Sequence, residues 1–206
     1  MLTRRTLLVA AAALAAGAVS QAEGEFRPLF NGRDMADFVL VSTPPDTYRV
    51  ADGVIQVSGS PNGYFATKKS YRNYVLEFDW KYVRPAGLQN DAEFPGNSGL
   101  LLHIAGDHKV WPKCVEVQLM NRDAGNIFAL NGGKATGKKY ADAQKQAIKP
   151  VGEWNHEQVT CKDGTITAKI NGILVAEATG CDPAEGPIGW QSEGAEIHFR
   201  NLRIKE

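Results

Sequence analysis

The sequence predicts an all-β domain, either a sandwich or a barrel, and three observations carry that expectation. Short runs of alternating apolar and polar residues recur along the chain, glycine and asparagine punctuate them, and no long stretch shows a helical period capped at both ends. Strands are expected over residues 48–50, 54–57, 64–67, 74–83, 99–104 and 114–120. The segment "HEQVTCKDGTITAKINGILVAEA" reads as three strands joined by two tight turns, because Asp163-Gly164 and Asn171-Gly172 accept the positive φ that hairpin turns demand. Residues 188–192 and 196–204 close the series. Residues 140–148 are expected to form a short surface helix. Two segments, 84–97 and 131–154, are too long for tight turns and are expected to form the rims of a site.

The first residues, "MLTRRTLLVAAAALAAGAVSQAEGEF", place two arginines before a short apolar run that ends in small residues. Residues 7–19 are shorter than the roughly 20 residues of a membrane span. The pattern is that of an export signal of the twin-arginine kind over residues 1–22, with cleavage after Ala22 and a single domain over 23–206. The protein is therefore expected in the periplasm or outside the cell. Loss of Arg4 and Arg5 turns a balance of 23 basic and 23 acidic side chains into a small acidic excess. A chain so nearly neutral has no general attraction for phosphate backbones or anionic lipid, which argues against nucleic acid or a membrane as partner. Cys114, Cys161 and Cys181 are an odd set without C-x-x-C spacing, so disulfide stapling is not the design principle, although one bridge is left open.

The chemistry-bearing residues sit on the strands. "EFDWK" sets Glu77, Asp79 and Lys81 on one face and Phe78 and Trp80 on the other. Such a face is either open to solvent or a polar floor within a curved sheet. In "CVEVQLM", Val115, Val117 and Leu119 point one way, and Cys114, Glu116, Gln118 and Met120 the other. Similar alternation assigns Leu101 and His103 to one face, and Gln191 extends the polar stripe. Carboxylate, amide and imidazole at fixed spacing are what sugar hydroxyls require, with Trp111 as a stacking platform or a loop anchor. Trp154 is expected to pack in the core. "GNSG" at 96–99 lacks the partners of a serine nucleophile and reads as a tight lead into a strand. The four histidines show no metal-ligand spacing, so no cofactor is firmly implied; a hard cation such as calcium leaves no linear signature and stays open.

Six segments in order, "PLFNGRDMADF", "NYVLEFDWKY", "GNSGLLLHI", "WPKCVEVQLMNRDAGNIFAL", "GEWNHEQVTCKDGTITAKINGILV" and "GPIGWQSEGAEIHFRNLRIKE", make the chain resemble the 3-keto-disaccharide hydrolase family over residues 28–206. That resemblance implies a concanavalin A-like jelly-roll sandwich of two antiparallel sheets. It also implies action on glycosides whose C3 hydroxyl a partner dehydrogenase has oxidised to a ketone. A C3 ketone acidifies the C2 proton, so a base can remove it, the C1 substituent is expelled, and water then adds. In that scheme Glu116 is the base or acid, His103 the second proton carrier or enolate stabiliser, and Lys81 a cationic aid paired with Asp79. Asn97, Gln118 and Gln191 orient hydroxyls. The chain departs from the family pattern at His103, where many members carry arginine, and in "QLMN", which lacks an acidic residue often found there. Two other readings compete: a non-catalytic carbohydrate-binding module or lectin, and a conventional two-carboxylate glycosidase. The "EFD" of a concanavalin-like glucanase motif is present for the latter, but Tyr82 stands where its last acid would be.

Overall fold

The computed structural model describes residues 24–206; the expected export signal lies outside the described residues. Fifteen strands and one short helix follow one another among them. They are β1 (Arg27–Pro28), β2 (Phe38–Val41), β3 (Tyr48–Ala51), β4 (Val54–Val57), β5 (Gly63–Thr67), β6 (Tyr74–Tyr82), β7 (Gly99–Ala105) and β8 (Lys113–Gln118). After these come β9 (Ile127–Leu130), β10 (Lys134–Lys139), α1 (Ala141–Ala147), β11 (Asn155–Lys162), β12 (Thr165–Ile170), β13 (Ile173–Asp182), β14 (Gly189–Ser192) and β15 (Ile197–Lys205).

They form two antiparallel sheets. The larger runs β10-β13-β12-β11-β6-β15-β4-β3, with β1 added to β15, and the smaller runs β2-β5-β14-β7-β8-β9. The expected sandwich is therefore present, and the hairpins at Asp163-Gly164 and Asn171-Gly172 turn through positive φ at all four residues. Sequence reading missed β1, β2, β9 and β10. The segment 131–154, expected as a long loop with a short helix over 140–148, holds that helix as α1 and also holds β10. The residues of β10 are mostly polar or small and exposed, so no apolar alternation announces it.

The core is the alternate-residue set of both sheets. From the larger sheet come Leu76, Phe78, Trp80 and Phe199, and from the smaller Phe65, Leu100, Leu102, Val115, Val117 and Trp190. Trp190 lies flat on Phe65, with ring centroids 5.3 Å apart, and meets the edge of Phe78 at 6.0 Å, so one aromatic stack bridges the layers. The inward Val115 and Val117 of β8 force Cys114, Glu116 and Gln118 onto the outer face of the smaller sheet. Similarly, inward Phe78 and Trp80 force Glu77, Asp79 and Lys81 onto the outer face of the larger one. These two polar stripes therefore lie on opposite sides of the molecule.

All three cysteines are free and buried, and the bridge left open by the sequence is not formed. Trp154 corrects a further expectation. It is half-buried on the outer face of the larger sheet rather than in the core, with the Lys81 ammonium 4.9 Å and the Arg200 guanidinium 4.0 Å from its ring.

Candidate active site on the outer face of the smaller sheet

Strand pairing sets out the site. Across the smaller sheet, Tyr64 pairs with Gln191, Gly189 with Leu101, Leu101 with Glu116, and Gly99 with Gln118. Tyr64, Gln191, Gly99, Glu116 and Gln118 thus follow one another over four adjacent strands. Beside them lies a small apolar floor of Ala66, Leu101, Ile104 and Cys114.

Gly99 is the hinge of this arrangement. A Cβ built there would stand 2.2 Å from Gln191 Oε1 and 2.3 Å from Glu116 Oε1, so both side chains lean into the space that glycine leaves open. Its φ is not in the left-handed region, so alanine fits the backbone, and its nearest conflicts are with the flexible ends of those two side chains. Gly99→Ala is expected to retain the fold while lowering activity at least tenfold. Thermal melting and turnover, measured together, would separate the two effects.

Glu116 is only 4% exposed. Burial, reinforced by the neighbouring Glu193 carboxylate, pushes its pKa up to about 8. Glu193 is itself half-buried, and desolvation raises it against the opposing hydrogen bond from Asn97. The sequence analysis overlooked Glu193, although a period of two from Gln191 leads to it. Tyr64 was also overlooked, because every residue of β5 is buried and gives no polar alternation. Burial raises its hydroxyl to about 12, so it remains a proton donor at neutral pH. Three buried polar atoms here have no partner within the protein: the Tyr64 hydroxyl, Gln191 Oε1 and Asn97 Oδ1. Orphaned polar atoms are costly unless something else satisfies them, and a hydroxyl-rich ligand would do so. The stripe passes from buried Tyr64, Gln191 and Glu116 to half-exposed Gln118, Asn97 and Glu193, which is its edge toward solvent.

"GNSG" does lead into β7 as expected. Ser98 Oγ donates to the Gln191 carbonyl at 2.9 Å, and the Leu119 N–H donates to the Ser98 carbonyl at 2.9 Å, so the stretch ties three strands together. Gln118 Oε1 is already engaged, accepting from the N–H groups of Leu119 and Met120 at 2.9 and 2.8 Å. Trp111 lies 40% exposed in the β7–β8 loop. With Lys109, Lys113 and Asn131 it lines a cleft of about 490 Å³ that borders β8 and β9.

Three expected members of the site, His103, Asp79 and Lys81, are elsewhere. His103 does not share the face of Leu101. Its φ is +58°, and the β7–β8 register shifts between Leu102 and Ala105. This bulge turns the ring inward, where it meets Tyr74 edge-on at 5.6 Å, and its Nδ1 donates to the Pro183 carbonyl at 3.2 Å. Desolvation lowers its pKa, so it is a neutral core imidazole.

Asp79 is on the far side of the sandwich. Its carboxylate accepts from His156 Nδ1 at 2.9 Å, Arg200 Nε at 3.0 Å and Asn201 Nδ2 at 2.7 Å. Desolvation pushes it up, but these bonds together outweigh that and hold it below the usual carboxylate range. It borders a separate cleft of about 590 Å³ lined by Phe26, Phe30, His156 and Arg203. Lys81 is not its partner but packs over Trp154. Both residues belong to that outer face because they share the alternation of β6, and they cannot reach a substrate held at Glu116. Among the described residues, no group of three His, Cys, Asp or Glu is placed to hold a metal ion.

The profile of the 3-keto-alpha-glucoside-1,2-lyase-like domain matches residues 25–205. The chain belongs to this family. Among relatives, a 3-keto-disaccharide hydrolase of Bacteroides thetaiotaomicron is 24% identical over 218 aligned positions, covering 78% of this chain and 70% of the relative. A putative glycosyl hydrolase from Parabacteroides distasonis superposes with a TM-score of 0.65 at 23% identity, covering 88% of this chain and 93% of that one. A carbohydrate-binding module of Bacillus subtilis superposes with a TM-score of 0.61 at 16% identity, covering 82% and 96%. These likenesses establish the concanavalin A-like sandwich for the family member described here.

Proposed function

We propose that this protein cleaves 3-keto-glycosides at the Glu116 stripe, by removal of the C2 proton and elimination of the C1 substituent, followed by hydration. The observation that carries this reading is a buried carboxyl, with its pKa raised to about 8, beside orphaned amide and hydroxyl groups over an unobstructed glycine. Family membership supports the substrate class.

The Glu116 carboxylate takes the C2 proton, and the C–H electron pair becomes the C2–C3 double bond of an enediolate. Tyr64 donates to the charge developing on O3, and the amides of Gln191 and Asn97 hold neighbouring hydroxyls. As the C3 carbonyl re-forms, the electrons move to C1–C2, and the C1–O bond breaks with its pair on the departing oxygen. A proton completes that alcohol, and water adds across C1–C2. The pair released from C2–H is matched by the pair that leaves on the C1 oxygen, so the step itself needs no oxidant. The ketone must be made beforehand, which places the reaction downstream of a sugar C3 dehydrogenase, in the exported compartment that the leader suggests. A divalent ion such as calcium is a separate question for the assay, answered by comparing chelated and calcium-supplemented protein.

The test uses matched glucosides with and without prior C3 oxidation, following aglycone release and deuterium uptake at C2. Release and exchange from the oxidised substrate alone are expected. Equal release from both would identify a conventional glycosidase, and binding without release from either would identify a lectin-like module.

A further inference from the structure

The elimination proposed above leaves one proton transfer without an owner, because the departing C1 oxygen must be protonated while Glu116 holds the C2 proton. His103, the sequence-based choice, is turned into the core, and two of the other three histidines are on the larger sheet. His156 sits on β11 against Asp79, and His198 sits on β15 with Nε2 2.8 Å from Glu196 Oε1. His108 is different. It is exposed on the loop between β7 and β8, and its ring stacks over Tyr64, with centroids 6.5 Å apart and planes inclined by 27°. Tyr64 pairs with Gln191, which leans with Glu116 into the space above Gly99. An exposed imidazole therefore stands over the Tyr64 end of the buried stripe, while Glu116 lies farther along its floor.

We infer that His108 is the second proton-transfer residue of this site, donating from its ring to the C1 oxygen as the C1–O bond breaks. This rests on the reading given under the proposed function. The balance is complete: one proton passes from C2 to Glu116, one from the His108 ring to the leaving alcohol, and the hydrating water later restores both groups. A base in the floor and an acid on a loop above it approach the sugar from different directions, as two simultaneous transfers at C2 and at O1 require.

An acid catalyst matters in proportion to how badly the leaving group needs a proton. The test compares His108→Gln and His108→Ala with the unaltered protein on two 3-keto-glucosides, one bearing 4-nitrophenol and the other a sugar or simple alkyl alcohol. With the alkyl or sugar leaving group, kcat is expected to fall about 10²-fold or more, whereas 4-nitrophenol release should change less than about fivefold. Deuterium uptake at C2 should persist in both variants, since Glu116 is untouched. Circular dichroism and melting temperature verify that each variant is folded, which the exposed position favours. A loss of equal size on both substrates, no loss on either, or a leaving-group dependence that appears instead in Glu193→Gln would overturn the assignment. Should the unaltered protein release nothing from either 3-keto-glucoside, the proposed function falls, and this assignment with it. Normal wild-type turnover with an unselective His108 variant defeats the assignment alone.

Discussion

Replacing Glu116 by Gln is expected to lower turnover of a 3-keto-glucoside by about 10²–10⁴-fold and to abolish deuterium uptake at C2. The substitution is nearly isosteric, and at neutral pH it imitates the protonated carboxyl, since burial and Glu193 raise that group to about 8. Packing over Gly99 should therefore survive, and the loss should lie in kcat rather than in substrate binding. For the unaltered protein, the rate of C2 exchange should climb with pH as the carboxylate form of Glu116 accumulates, levelling above about 8. Removing the like charge with Glu193→Gln should move that limb to lower pH, because the neighbouring carboxylate disfavours ionisation of Glu116. Unchanged exchange in Glu116→Gln would remove this residue from the chemistry. A pH profile unaffected by either substitution would assign the limb to another group.

Stability is expected to decline from mildly acidic to mildly alkaline pH, and the chief structural cause is Glu157. This carboxyl is fully buried on the inward face of β11, accepts one hydrogen bond from Trp80 Nε1 at 3.0 Å, and has its other oxygen unpartnered. Desolvation pushes it up to about 8, against the 4.5 of a free glutamate, even though the Trp80 bond opposes the change. A carboxyl raised in the folded state binds its proton more tightly than in the unfolded chain. Its favourable contribution is complete below the unfolded value and is lost as pH rises through the folded one. Each such group removes a few kcal/mol across that window, a large share of the ~5–15 kcal/mol that holds a typical domain folded. Glu116 acts in the same direction. Glu77 and Asp79, both held below their ordinary values by ion pairs and hydrogen bonds against their desolvation, act in the opposite one. Their stabilisation is present above the unfolded carboxylate value and disappears as pH falls through their lower folded values. Chemical denaturation between pH 5 and 9 should show the alkaline decline. Glu157→Gln keeps an acceptor for Trp80 and should flatten roughly half of it, leaving the Glu116 part. A slope that Glu157→Gln does not change would place the titrating group elsewhere.

Much of the sandwich was legible because strand alternation is a local signal. Leu76, Phe78 and Trp80 alternate with Glu77, Asp79 and Lys81, and the structure keeps that division. The hairpin turns at Asp163-Gly164 and Asn171-Gly172 are equally local, since backbone strain at positive φ is a property of the residues themselves. β1, β2, β9 and β10 escaped notice because their place in a sheet is decided by partners outside their own short runs. Period two failed at His103, where a single bulged residue reverses every later assignment in the strand. No run of residues in the sequence announces such a bulge; it forms where the closing sheet requires a kink. Glu193 was within reach of the alternation argument, only two residues beyond Gln191. Tyr64 and His108 were not, since one belongs to an entirely buried strand and the other to a loop.

The sequence by itself determined which faces are apolar, where the chain turns back, and that Glu116, Gln118 and Gln191 are polar exceptions on otherwise buried strands. It also carried enough ordered motifs to identify the family. Only the tertiary structure decided which polar stripes meet. Two strands with the same alternation, β6 and β8, send their polar residues to opposite surfaces, because their apolar faces close on one another across a shared core. That closure brings Glu116 against Gln191 and Glu193 while carrying Asp79 and Lys81 to the far side. Alternation reports only inside or outside of a sheet, whereas the chemistry depends on which sheet.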